Sequence, residues 1–468
     1  MKIKIFFAPF LQDYAPVVPT SIASVTAYLK QKGFYIKQDD LAVQCYNKLK
    51  EKEEFKKINL MSLSTKHANK IVSSLKRTLI PSYYKYTINK ILSLSPYEDF
   101  DIIGFSIYSL AQLYSSLLMA KEIKKRTNSI IVFGGPYLKH TFKEVLPDFS
   151  FIDYVVYDEG EIAFEKLLGF LEGKIKLESV PGIAYMKNKK IIINSINHLK
   201  IDDVPPPDFH DLKLSEYPQP LKIPVQLSKG CLSNCAYCTF KHDSPVFKEK
   251  EMDRIIENLI FLKNTYKTNK FDFMPSNALN NTRPFVIKLC KRIIKEKMDL
   301  EWFAYMKPVP LDEEMIKLMK QAGCSFIFFG VESINKERLI SVKKNVNLPL
   351  LQKMLKLSKK LNIRTRIAFI YGFPYETKEE FLENLEFIKN NSIYIDEINY
   401  NKFRLEKNSH IFLNPKKYKI KIGKPIFPYS TEYTFDETER FNHKERIAFI
   451  KENVENNEIS RRIIPKKI

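Results

Sequence analysis

A chain of 468 residues is too long for one compact core and points to two or three domains. With 44% hydrophobic and 28% charged residues it is too apolar to be disordered, and it contains no run of about 18 apolar residues that could span a membrane. The net charge of +22 raises nucleic acid or another anionic partner, but the lysines are scattered among abundant Ile and Asn, the pattern of a compositional bias rather than a binding stripe.

Lys2 to Ala8 reads as a first strand rather than a signal peptide: the apolar stretch is short, Asp13 follows and no small-residue cleavage site appears, so the cytoplasm is the expected compartment. Ser21 to Lys32 is a helix closed by Gly33, with a strand near Phe34 to Gln38. Lys48 to Leu94 is polar and helical, like an insertion. A buried strand at Asp101 to Ser106, a helix at Leu110 to Arg126, strands at Ser129 to Phe133 and Tyr154 to Tyr157, and a helix from Glu161 to Leu168 follow. This alternation predicts a Rossmann-like α/β domain whose ligands bind beyond the C-terminal strand ends. Those ends fall at Ser106, Gly134-Gly135 and Asp158 to Glu161.

Asp202 to Pro220, with Val204-Pro205-Pro206-Pro207-Asp208, reads as a linker. A second alternation follows. Its strands are expected at Val225 to Ser228, Lys270 to Met274, Glu301 to Tyr305, Ser325 to Phe329, Arg364 to Ile370 and Glu397 to Asn401. Its helices are expected at Glu251 to Tyr266, Arg283 to Lys297, Asp312 to Ala322, Leu348 to Leu361 and Lys378 to Asn390. Such a run of βα units is long enough for a partial or full parallel barrel. The remainder, with a helix from Asp436 to Glu452, reads as a small, mostly helical region ending in a solvated basic tail (Arg461, Arg462, Lys466, Lys467). The domain reading is 1–170, a linker with short strands over 171–220, a barrel over 221–413 and a closing region over 414–468.

Of six cysteines, Cys45, Cys290 and Cys324 stand apart, the last two as buried structural thiols. The other three crowd into Cys231-Leu232-Ser233-Asn234-Cys235-Ala236-Tyr237-Cys238, directly after the first barrel strand. A secreted disulfide framework would spread its cysteines, so crowding points to metal. Three thiolates can hold three irons of a cubane and leave the fourth open to a substrate or cofactor. The rival is a zinc site completed by His242.

The Cys-x3-Cys-x2-Cys spacing, with an aromatic before the last cysteine, resembles the radical S-adenosylmethionine (SAM) superfamily. Phe329-Gly330-Val331-Glu332-Ser333 looks like its Gly-Ile-Glu-Ser segment, and Ile370 to Thr377 like its Gly-Leu-Pro-Gly-Glu-Thr segment, in the family's order. The resemblance implies a [4Fe-4S] cluster on Cys231, Cys235 and Cys238, and SAM contacts from Tyr237, Glu332, Arg366, Gly372 and Pro374. Glu332 would bind ribose hydroxyls or the methionine ammonium; its alternative is a pair with Lys336 or Arg338. Arg366 would point toward cofactor or substrate; its alternative is an ion pair within the barrel. Lys307 stands where relatives often carry arginine, and Tyr371 and Tyr375 lie near the adenine site. Phe403 to Ser409 looks like the family's closing loop.

The first 170 residues resemble the cobalamin-binding domain that precedes many radical SAM domains, on Pro19 with Ala27-Tyr28-Leu29, Asp101 to Ser106, Val132 to Pro136 and Asp153 to Glu161. That resemblance implies cobalamin contacts from Ser106, Gly134, Gly135, Glu159, Gly160 and Glu161. Asp158 departs from the glycine usual there, and the Asp-x-His-x-x-Gly segment of cobalamin mutases is absent.

Together the resemblances imply a cobalamin-dependent radical SAM enzyme. It would cleave SAM reductively to a 5′-deoxyadenosyl radical and most simply methylate an unactivated carbon of a small molecule or peptide. An electron donor such as flavodoxin or ferredoxin would serve it. The alternatives are a radical SAM cyclase, rearrangement or oxidation enzyme of the same architecture, or a basic RNA- or peptide-binding protein with structural zinc. A methylthiotransferase would carry three more N-terminal cysteines, where this chain has only Cys45.

Overall fold

The computed structural model describes residues 1–9, 17–51, 65–77, 80–240, 246–273, 283–308, 312–438, 445, 448–449 and 452–453. Two compact units emerge: Met1–Leu221 with Pro425–Thr431, and Lys222–Lys424 with Glu432–Ile468. Among the described residues no helix is long and apolar enough to cross a membrane.

In the first unit, β1 (Lys2–Phe7), β2 (Tyr35–Asp40), β3 (Ile102–Ser106), β4 (Ile130–Gly134) and β5 (Tyr154–Val156) run parallel in the order β2-β1-β3-β4-β5. β6 (Ile183–Lys187) and β7 (Lys190–Ile193) extend the sheet antiparallel. The order reverses between β1 and β3, which opens a crevice beyond their C-terminal ends. α1 (Thr20–Gln31) ends at Gly33, whose φ of +85° and N–H bond to the Lys30 carbonyl (3.0 Å) supply the left-handed cap.

The polar insertion has a packing role. After α2 (Leu41–Glu51), α3 (Ala68–Lys76) and α4 (Ser82–Leu92) cover α5 (Leu110–Lys124), which is buried on nearly every side. Residues 52–64 and 78–79 lie outside the described residues. α6 (Leu138–Val145) and α7 (Gly160–Leu171) complete the layers.

The Pro- and Asp-rich segment is not a loose tether. Lys30 pairs with Asp208 (2.9 Å) and Asp211 (3.1 Å), Lys37 with Asp211 (2.9 Å), and the Tyr217 hydroxyl donates to the buried Asp40 (2.8 Å). Prolines keep α-helix and strand out of the segment, yet lysines on α1 and β2 strap it down. Residues 425–431 also join this unit. Tyr114 donates to the Pro428 carbonyl (2.6 Å), Tyr137 to that of Tyr429 (2.9 Å), and Phe427 and Tyr429 pack on the core.

The second unit holds a six-stranded parallel sheet in chain order, β8 (Ile223–Val225), β11 (Lys270–Phe273), β12 (Glu301–Met306), β13 (Cys324–Glu332), β14 (Arg364–Tyr371) and β15 (Glu397–Lys402), a partial (β/α) barrel. The short strands β9 (Ser228–Lys229) and β10 (Lys248–Glu249) pair separately. The helices are α8 (Met252–Tyr266), α9 (Arg283–Lys295), α10 (Glu313–Gln321), α11 (Lys336–Ser341), α12 (Leu348–Lys360) and α13 (Lys378–Asn390). Asp312, Asn335, Asn347 and Thr377 cap four of them by accepting a backbone N–H.

The expected mostly helical C-terminal region needs correction. After β16 (Leu405–Glu406) and the short α14 (His410–Leu413) come two strands, β17 (Ile420–Pro425) and β18 (Glu432–Glu437), so Asp436 and Glu437 are strand, not helix. Ile420 and Ile422, and Tyr433 and Phe435, alternate with polar residues at the strand period and pack into one cluster. The few described residues beyond 438 are helical, and the basic tail lies outside the described residues.

Candidate active site

The cysteine loop leaves the barrel just after β8. Gly230 opens it at φ +82°, where a Cβ would stand 2.5 Å from the Val246 carbonyl oxygen, so no other residue fits. The loop is anchored at its middle: Ala236 donates to the Val342 carbonyl (2.8 Å), and its own carbonyl accepts from Ile411 (2.9 Å). Cys231 accepts from the Ser233 N–H (3.3 Å) and Cys238 from the Phe240 N–H (3.4 Å). Cys238 reaches solvent but is crowded by protein on most sides, and this desolvation, with Cys235 and Cys231 nearby, pushes its thiol up to about 11. The three thiols therefore share one electrostatic neighbourhood. Cys45, Cys290 and Cys324 are buried elsewhere, and burial raises each of their thiols.

Among the described residues no three or more His, Cys, Asp or Glu converge tightly enough for a single metal ion. A cubane asks for something else, since each thiolate takes its own iron. His242 lies outside the described residues.

Facing the loop is a pair of which the sequence supplied only one member. Glu332 ends β13 at a bulge against β14 and sits at φ +69°, unusual for a residue with a side chain. Its carboxylate accepts from Lys344 Nζ at 3.1 Å, rather than from Lys336 or Arg338. Arg338 instead pairs with Glu380 (2.9 Å) and donates to the Pro374 carbonyl (2.8 Å). Burial alone would lower Lys344; Glu332 and the thiols of Cys235 and Cys238 outweigh it and hold the ammonium above its usual value. Lys344 also reaches the Tyr237 hydroxyl (3.5 Å), and Tyr237 packs edge-on against Phe373. Gly330 leaves room beside the pair: a Cβ there would lie 3.0 Å from the Glu332 carboxylate and 3.2 Å from Lys344 Nζ. Lys307 senses the same three thiols, with burial pushing its pKa down.

The third motif forms the neighbouring turn. Gly372, at φ +82°, donates its N–H to the buried Glu376 carboxylate, which burial raises to about 7. Phe373 and Glu376 are buried, and Tyr375 bonds the Lys419 carbonyl (2.8 Å). Cys231, Cys235, Cys238, Tyr237 and Glu332 thus come together at the C-terminal edge of the barrel, and Gly372 and Pro374 end the adjoining strand there. Arg366 does not join them. It pairs with Glu397 (Nε, 2.7 Å), lies over Phe326 and Phe328, and stands six residues before Gly372, about 20 Å along the strand.

In the first unit, Ser106 lies at the β1/β3 crevice with its hydroxyl 3.0 Å from that of Ser21. The other expected cobalamin contacts have structural partners. A Cβ on Gly135 (φ +102°) would fall 2.4 Å from the Ile107 carbonyl oxygen, so its missing side chain admits protein backbone. Gly134 adjoins Val156. Glu159 holds His198 (2.9 Å) and the Leu199 N–H (3.2 Å); Glu161 accepts from Ser24 (2.7 Å). Gly160 lets α7 meet Val25 of α1, and Asp158 pairs with Lys139 (2.9 Å).

Comparison with known proteins agrees with this geometry. Residues 225–388 match the Radical SAM superfamily. An uncharacterized methyltransferase of Pyrococcus horikoshii is 29% identical over 330 residues, 69% of this chain and 70% of that one. The cobalamin-dependent S-adenosylmethionine radical enzyme OxsB, solved with aqua-cobalamin and SAM, has a similar fold (TM-score 0.73, 17% identity, 97% of this chain and 67% of that one). So does the radical SAM methyltransferase TsrM from Kitasatospora setae, solved with cobalamin and a [4Fe-4S] cluster (TM-score 0.67, 14% identity, 92% of this chain and 82% of that one). At such identities the structural likeness is one of fold. Three crowded thiols, a buried Glu–Lys pair and a glycine-proline turn on one barrel edge all fall within residues 225–388, the stretch of this chain that is a radical SAM domain.

Proposed function

We propose that the chain is a cobalamin-dependent radical SAM methyltransferase acting on an unactivated carbon of a small molecule or peptide. The observation that carries the radical SAM part is the Glu332–Lys344 pair beside three thiols on one loop. A zwitterionic amino acid group such as the methionine end of SAM needs opposite charges held apart from water, and that pair offers both. Cys231, Cys235 and Cys238 would hold the cluster. Gly372 and Pro374 would present backbone to the adenine, in a turn fixed from behind by Glu376 and Arg338. Lys307 would place a second cation near the thiols. When bound, the cluster and SAM supply a carbon-centred radical and cobalamin supplies the methyl group.

Cobalamin is supported by the β2-β1-β3-β4-β5 order, with Ser106 and Ser21 at its crevice, and by the fold shared with OxsB and TsrM. The functional division would place cobalamin on residues 1–170, radical chemistry on 221–413 and substrate closure on 414–468. Crowded thiols and a low-potential cluster require a reducing compartment, the cytoplasm, and a donor such as flavodoxin or ferredoxin.

Anaerobic reconstitution with iron, sulfide and hydroxocobalamin, then SAM and dithionite, tests this. Cluster iron, bound corrinoid and 5′-deoxyadenosine, with the iron and the product lost in Cys235→Ala, are the expected result. Iron and 5′-deoxyadenosine without corrinoid would reject the methyltransferase reading; zinc without 5′-deoxyadenosine would reject radical chemistry.

A further inference from the structure

The two faces of the barrel strands are packed differently. On β12 and β13, Trp302, Ala304, Met306, Ile327 and Phe329 point to the helices and are no more than 2% exposed. The Trp302 indole N–H fixes that side, donating to the Ala322 carbonyl at the end of α10 (2.7 Å). The residues between them point into the barrel, and four of these are aromatic: Phe303, Tyr305, Phe326 and Phe328. Strand register sets Phe303 beside Phe326 and Tyr305 beside Phe328, with ring centroids 6.0 and 5.2 Å apart. All four rings are only half-buried. A closed barrel fills its interior with side chains. This sheet has β8 and β15 as free edges, and its inner rings stay reachable.

On β11, Asp272 is in register with Phe303 and points inward with it, between the buried Phe271 and Phe273. Its Oδ1 is buried and has no hydrogen-bond partner among the described residues. Burial raises its carboxyl to about 7, opposed only by Lys222. Lys222 itself lies over the Phe303 ring, 4.1 Å from the centroid. At the other side of the aromatic wall Arg366, in register with Phe328, lies over Phe326 and Phe328 (5.4 and 5.5 Å) and is held by Glu397. The wall is therefore flanked by two cations and carries one buried acceptor that nothing satisfies. Such an acceptor is costly, and beside reachable rings it is a place for a ligand's donor. Along β13, Phe326 stands four residues before Gly330, whose missing side chain leaves room beside Glu332 and Lys344. That is about 13 Å of strand.

We infer that the barrel interior is the substrate site and that the substrate is a flat, electron-rich aromatic compound with a ring N–H, of the indole type. The inference rests on the reading that radical chemistry takes place beside the three thiols, and it names the class of molecule that chemistry acts on. The ring system lies along Phe303, Tyr305, Phe326 and Phe328, and its N–H donates to Asp272 Oδ1. Its far end reaches the level of Gly330. Lys222 and Arg366 favour a π-rich ring, since cations are drawn to aromatic faces, and they repel a cationic ligand. A neutral N–H satisfies Asp272 without that repulsion.

The test uses the full chain reconstituted anaerobically with iron and sulfide, and two probes of one shape: 2-phenylindole, and 2-phenylbenzofuran, in which oxygen replaces the N–H. In equilibrium dialysis 2-phenylindole is expected to bind at least about tenfold more tightly, the selectivity of one donor on a buried carboxyl oxygen. Asp272→Val should remove that preference by weakening 2-phenylindole alone, and Phe326→Ala should weaken both probes alike. Asp272→Val should melt no lower than the wild type, because it removes a desolvated, unsatisfied group. Equal binding of the two probes, binding of neither, or an Asp272→Val variant that weakens both or neither would overturn the proposal. A clearly lower melting temperature for that variant would show a satisfied carboxyl and overturn it too. Formation of 5′-deoxyadenosine by the same preparation with SAM and dithionite tests the radical SAM reading separately. Its absence would reject that reading, and the probe selectivity would still decide whether the interior takes an N–H aromatic.

Discussion

Replacing Lys344 by methionine isolates the Glu332–Lys344 pair. Both side chains are nearly buried, at 6% and 11% exposure, with 3.1 Å between Nζ and Oε1. At that distance and an effective dielectric constant of about 20, their attraction is about 5 kcal/mol. Removing one partner of such a pair typically costs about 3–5 kcal/mol, because the other charge stays buried and unpaired. K344M should therefore lower the melting temperature of the cofactor-free chain by roughly 10 °C, taking a domain of about 150–250 residues. The double variant E332Q/K344M should recover most of the loss, since no uncompensated charge remains. Differential scanning calorimetry of the wild type, both single variants and the double variant gives the coupling energy directly. A loss below about 1 kcal/mol in K344M, or additivity in the double variant, would refute the argument that the pair is buried and mutually dependent.

Glu376 carries a proton to about pH 7 in the folded chain, against an ordinary value of 4.5. The folded state binds more protons than the unfolded state over that window, so this group makes stability fall as pH rises, by on the order of 3 kcal/mol. Glu376→Gln should flatten the slope in urea titrations between those pH values. Arg366→Gln should leave SAM affinity unchanged and cost only about 1 kcal/mol, because its partner Glu397 keeps Arg364; a large loss of SAM binding by equilibrium dialysis would return Arg366 to the site. Gly135→Ala drives a Cβ into the Ile107 backbone at a left-handed φ and should cost at least about 2 kcal/mol of stability, measured by urea unfolding of the cofactor-free chain.

Much of the fold was readable because both units are βα repeats, in which fully buried strands and one-sided helices leave opposite patterns. The helix expected at Lys378 to Asn390 spans those residues, and the strand expected at Glu301 to Tyr305 is one residue longer. What escaped is less periodic or depends on tertiary context. Lys344 sits in Val342-Lys343-Lys344-Asn345, where nothing local distinguishes a buried lysine from its exposed neighbour. Glycine motifs signal close approach without saying of what: at Gly135 it is the Ile107 backbone. The β17–β18 pair did have a signal, the alternation of Ile420 with Ile422 and of Tyr433 with Phe435, the first of them hidden in a stretch dominated by lysine.

The return of residues 425–431 to the first unit bears on how the chain is made. Tyr114 and its acceptor at Pro428 are 314 positions apart. At about 5–20 residues per second on the ribosome, the phenol waits roughly 15–60 s for that carbonyl to be synthesised. The six-stranded sheet of the second unit has no such delay built in, because each of its strands pairs with the member of that sheet made before it. The nascent first unit must therefore keep the site for Phe427 and Tyr429 open through most of translation, and a chaperone that shields apolar surface would find it there.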